Sequence, residues 1–163
     1  MAEAVVESWD LLACAARWRP GNWADTLRPA HAVLTRGATG LEASAAWATV
    51  AMIMGDSGAT PLALIVCLHG ERSLPAHVED RGLAAHRDLC LLDLGLGRAA
   101  ADGPIKLADL GAPGTVGQSS AEVEYWLDRA LVPFDGDLGR AARFALALAA
   151  VRTGLVAGPE PTP

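Results

Sequence analysis

The chain has 163 residues, a length that fits one domain able to fold around its own core without disulfides or metal. Hydrophobic residues make up 52% and charged residues 20%, which excludes disorder for the bulk of the chain. The formal net charge is −6 and the 13 basic residues form no run, so a nucleic-acid partner is not expected. Alanine occurs 33 times and leucine 23 times, and both lead the helix-propensity scale. Arginine outnumbers lysine 12 to 1, which with the alanine excess points to a GC-rich bacterial genome.

In chain order, the spacing of Val5, Trp9, Leu12 and Ala16 predicts a helix over Ala2 to Trp18, ended by Pro20-Gly21. A weaker helix over Asp25 to Leu34 is interrupted by Pro29, and Arg36 to Gly40 is a loop. Leu41 to Met54 is a strongly predicted helix, closed by Gly55. Pro61 to Leu68 is a continuous apolar run that fits a strand buried on both faces, although periodicity alone does not separate it from a short buried helix. Ala76 to Glu79 and Asp88 to Leu94 are two further strands. Gly95 to Gly117 reads as a long irregular connection with one short element near Ile105 to Leu110. Ser119 and Glu122 form a capping box that opens a helix to Leu131. Asp137 caps the last helix, Leu138 to Thr153, which Gly154 ends.

The cysteines are Cys14, Cys67 and Cys90, too few and odd in number for a disulfide framework. The acidic first residues lack the basic region of a signal peptide, and no apolar run approaches the roughly 18 residues of a membrane helix. A cytoplasmic protein is expected, with no membrane partner.

Two constellations point to chemistry. Cys67, His69, His86 and Cys90 are the donor types of a tetrahedral zinc site, although Cys-x-His is not the usual ligand spacing. The alternative for the cysteines is that both are small buried hydrophobes. The second constellation is an order of elements. A Gly-containing loop opens the helix around Ser44, a buried strand follows, His77 lies in Pro75-Ala-His-Val-Glu79, and Asp93 in Leu91-Leu-Asp93. Over residues 37 to 96 this resembles the core of the transglutaminase-like branch of the papain-like cysteine enzymes. The resemblance implies His77 as base, Asp93 as the acid that orients it, and an amide-bond reaction. The nucleophile position falls at Ser44 or Ala45, neither of them cysteine, so Ser44 or a relocated Cys67 would have to serve.

The remaining clusters have plainer readings. Glu122, Glu124 and Asp128 form a solvated acidic face, and Asp135-Gly-Asp137 a turn and cap. Gly95-Leu-Gly97 lacks the third glycine of a phosphate loop. Trp9, Trp18, Trp23, Trp47 and Trp126 either cover the core edges or, near Arg17 and Arg19, anchor an interface.

The sequence thus predicts a helix-rich α+β single domain over residues 1–157 with a small central sheet, and a disordered tail over 158–163. The expected function is a non-catalytic binding or accessory protein of the bacterial cytoplasm, working through a protein or peptide partner or as a homo-oligomer. The alternatives are the transglutaminase-like enzyme and a small zinc protein.

Overall fold

The computed structural model describes residues 4–6 and 23–163. Ala4–Val6 form strand β1, where the sequence predicted part of a helix; the rest of that predicted helix lies outside the described residues. Helix α1 spans Trp23–Thr35 and runs through Pro29, which is exposed and bends nothing out of the helical pattern. After a tight turn, α2 covers Gly40–Asp56. It continues past Gly55, and the left-handed residue that follows its end is Gly58, at φ 86°.

Helix α3 spans Thr60–Arg72, with Pro61 in its first turn. This corrects the strand expected at Pro61 to Leu68. Ala63 through Cys67 are all buried, so the segment has no polar face to betray a period of 3.6. The helix is apolar nearly all round because it is the centre of the molecule, packed against neighbouring helices on several sides. Strand β2 is Val78–Asp80 and leads directly into α4, Arg81–Asp93. The strand expected at Asp88 to Leu94 is therefore the end of a helix. Its start signal is Asp80, whose side chain accepts a hydrogen bond from Leu83 N at 3.2 Å.

Strand β3, Gly97–Ala99, pairs antiparallel with β4, Val116–Gln118. A short 3-10 turn at Leu107–Asp109 lies in the connection between them. Helix α5, Ser120–Ala130, has Ser119 as its cap, with Glu122 N donating to Ser119 Oγ. A second 3-10 turn at Val132–Phe134 leads to α6, Leu138–Arg152, capped by Asp137 and followed by Gly154 at φ 78°. Residues 158–163 form no helix or strand, and Glu160 in this stretch pairs with Arg152 at 2.9 Å.

The fold is a helix-rich α+β domain. Among the described residues the strands form two pairs, β1 with β2 in parallel and β3 with β4 antiparallel. The main core joins Leu27, Trp47, Val50, Ile53, Leu64, Leu83, Leu91 and Leu146 from α1, α2, α3, α4 and α6. A smaller cluster of Ile65, Leu127, Leu131 and Phe134 seats α5 against α3. Gly70 permits the closest approach of helices, since a Cβ there would stand 2.8 Å from Leu83 Cδ2 and 3.2 Å from Trp47 Cβ. Trp23 and Trp126 are half-buried against the core and Trp47 is buried. These three tryptophans are core residues; Trp9 and Trp18 lie outside the described residues.

Candidate functional site

Helical geometry separates the residues that the sequence grouped. Cys67 and His69 would share a face on a strand, but two positions along a helix they point to nearly opposite sides. Cys67 is fully buried and meets Cys90 of α4, while His69 turns the other way, edge-on to Trp47 with ring centroids 5.1 Å apart. His86 is buried in α4 with its Nε2 lacking a hydrogen-bond partner. Among the described residues no three His, Cys, Asp or Glu side chains converge as metal ligands. The expected zinc set of Cys67, His69, His86 and Cys90 is thereby corrected: two thiols meet, and the imidazoles lie elsewhere.

The residues suggested for catalysis are also dispersed in environment. Burial pushes the Cys67 thiol well above its ordinary pKa, and the neighbouring Cys90 pushes it the same way. That is the opposite of what a nucleophilic thiolate needs. Ser44 is 1% exposed; its hydroxyl donates to Asp80 Oδ2 at 2.7 Å and lies 2.9 Å from Leu41 O. His77 is exposed in the turn before β2, and Asp93 is exposed at the last residue of α4.

Around Asp80 and α4 runs a polar seam that the sequence reading missed. Asp80 caps α4 and holds Ser44 of α2, so one carboxylate fastens two helices and a strand. One turn further on, Arg87 reaches Glu71 Oε2 of α3 at 2.7 Å and Asp88 at 3.1 Å. Asp88 Oδ2 in turn accepts from Gly111 N at 2.9 Å, tying the β3–β4 connection to the helix. Burial pushes the Glu71 carboxyl up to about 7, with Arg87 pulling against it. Burial also brings His86 down to about 4, with the Asp80 charge opposing. These groups are enclosed, and Glu71 Oε1 and His86 Nε2 are buried with no hydrogen-bond partner.

The open feature lies on the other side of α3. A cleft of about 620 Å³ is bounded by α1, the α1–α2 turn, α2, α3 and α6. From α1 come His31 and Leu34, from the turn Gly37 to Thr39, and from α2 Ala43 and Trp47. His69 of α3 and Ser73 just past its end also line it, as do Arg143, Leu146 and Ala147 of α6. The turn is held by Ala38 N donating to Val33 O at 3.2 Å, by Gly37 at φ 79°, and by the Arg36–Glu42 ion pair. The Thr39 side chain makes no cap to the α2 backbone.

The polar side chains of the cleft are His31, His69 and Arg143 and the hydroxyls of Thr35, Thr39 and Ser73. No carboxylate lines it, although the chain carries a net charge of −6. Arg140 and Arg152 of α6 are paired with Asp135 and Glu160, whereas Arg143 makes no ion pair among the described residues. Arg143 and His69 converge beside Gly139. A Cβ on that glycine would lie 3.2 Å from Arg143 Nη1 and 3.4 Å from His69 Cε1. Burial lowers the pKa of His69, and Arg143 lowers it further, with Asp137 opposing.

Comparison with family models, with curated proteins and with solved structures found no match to this chain. The functional reading therefore rests on the geometry of its own residues. Sequence reasoning had reached His69 for a different purpose, and it missed His31 and Arg143. They lie on three helices far apart in the chain, so no local spacing links them. The one usable signal was Pro61, which suits the first turn of a helix, and a helix there turns His69 away from Cys67.

Proposed function

We propose that the protein is a non-catalytic binding protein of the bacterial cytoplasm whose ligand enters the cleft between α1, α2, α3 and α6. The observation that carries this reading is the cleft itself. Its volume of about 620 Å³ falls in the range of small-molecule sites, and its mixture of apolar walls with a few convergent polar groups is typical of them. The catalytic alternative with Ser44, Cys67, His77 and Asp93 has less support. Its two nucleophile candidates are buried, and both exposed partners lie in other surroundings. No helix among the described residues is long and apolar enough to cross a membrane.

Two experiments test the reading. A thermal-shift screen of small molecules compares the protein with an Ala147→Trp variant. Ala147 is exposed on the cleft wall, so a large side chain there fills the cleft without disturbing the core. Ligands are expected to raise the melting temperature of the parent chain and to lose that effect in the variant. Ligands that stabilise both equally would place binding elsewhere. Site-resolved alkylation tests the enzyme alternative. Cys67 and Cys90 are expected to remain unlabelled at pH 7 until the chain unfolds, whereas rapid native labelling of Cys67 would favour catalysis.

A further inference from the structure

The chemistry of the cleft also specifies its ligand, an inference that rests on the binding reading above. We infer that the cleft takes a small organic anion, a carboxylate or a phosphate monoester on an apolar body, with the charged end on Arg143 and His69. Three observations converge on this. First, Arg143 is uncommitted among the described residues, while its neighbours Arg140 and Arg152 on the same helix are paired. A guanidinium presents parallel donors that match the oxygens of either group. Second, His69 stands next to Arg143 at the Gly139 corner, and the uncapped Thr39 and His31 line the same cleft. All four side chains can donate to an oxyanion, and no lining residue carries a negative charge of its own. Asp137 Oδ1 stands at the same Gly139 corner, 3.4 Å from where a Cβ would lie, and accepts from Arg140 N at 3.1 Å. Third, the apolar part of the lining is Leu34, Trp47, Leu146 and small alanines, and the hydroxyls of Thr35 and Ser73 are turned onto the backbone carbonyls of His31 and His69, which suits an aromatic or aliphatic body.

Calorimetric titration with three naphthalene probes separates the parts of this claim. The probes are 1-naphthyl phosphate, 1-naphthoate and the neutral 1-naphthalenemethanol, all at pH 7. The inference predicts that at least one anion binds tenfold or more tighter than the alcohol. Arg143→Gln should weaken that anion at least tenfold and leave the alcohol unchanged, and Arg143→Lys should recover part of the loss. The tighter of the two anions identifies whether phosphate or carboxylate is the better match. Equal binding of all three probes, abolished by Ala147→Trp, would overturn the anion assignment and leave the cleft reading standing. Absence of binding by every probe, or binding that survives Ala147→Trp, would overturn both. Because Arg143 is exposed and unpaired, its variants are expected to fold, and unchanged circular dichroism and melting temperature verify this.

Discussion

Asp80 does at one position what several residues commonly share. Its two oxygens serve different elements, Oδ1 the backbone of Leu83 and Oδ2 the hydroxyl of Ser44, and it is 1% exposed. Replacing it with alanine removes a helix cap and strands a buried hydroxyl, each worth about 1–2 kcal/mol. Asp80→Ala is therefore expected to lose about 2–4 kcal/mol in urea unfolding, and a loss below about 1 kcal/mol would contradict the assignment. Ser44, which the sequence offered as a nucleophile, is the partner in this bond. Nothing in the local sequence around Ser44 shows that its hydroxyl is spoken for by a residue thirty-six positions away.

The same seam makes a prediction about pH. His86 is held at about 4 against an ordinary 6.5, so the unfolded chain takes up that proton first. Its contribution to stability is complete above pH 6.5 and is lost as the pH falls toward 4. Glu71 is raised to about 7 from 4.5, so here the folded chain keeps the proton longer. Its contribution is complete below pH 4.5 and is lost as the pH rises through 7. The two trends oppose each other between pH 4.5 and 6.5. Glu71→Gln should uncover the His86 trend, with stability rising over that window by about 2–3 kcal/mol relative to the parent chain. Parallel urea midpoints for the two proteins at every pH would contradict this.

At the scale of elements, α2, α5 and α6 were legible in the sequence, and α3 and α4 were not. Ser119 and Asp137 announced α5 and α6 because a cap is a local side-chain event. The segment from Pro61 to Leu68 carries only apolar residues, and full burial erases the pattern that distinguishes a helix from a strand. The zinc set depends on that strand, since a strand places Cys67 and His69 together and a helix parts them. The β3–β4 pair was hidden inside a glycine-rich stretch whose pairing is long-range. Gly111 shows how that stretch is fastened to α4. It sits at φ 80°, its N–H donates to Asp88, and an added Cβ would lie 2.7 Å from Arg81 O. Gly111→Ala is expected to cost about 2 kcal/mol or more, through strain in the left-handed region and displacement of backbone. A melting temperature equal to that of the parent chain would contradict this docking.

At the scale of the whole molecule, α3 divides two chemistries. On one side lie the enclosed Cys67–Cys90 contact and the paired charges of Glu71, Arg87 and Asp88. On the other lies an open cleft lined by His69 and by Arg143, which makes no ion pair among the described residues, in a chain of net charge −6. Composition forecast the helix-rich α+β class and gave no sign of this partition, because it arises from which face of α3 meets α4 and which meets α2 and α6. The account stands or falls on the cleft as the binding site. The most direct measurement is a titration of the ¹⁵N-labelled protein with 1-naphthyl phosphate, followed by amide chemical shifts. The account predicts shifts centred on Ala38, Thr39, Trp47, His69 and Arg143, with the amides of Cys90 and Gly111 unmoved. Shifts centred on α4 or the β3–β4 pair, or no shift at millimolar ligand, would contradict it.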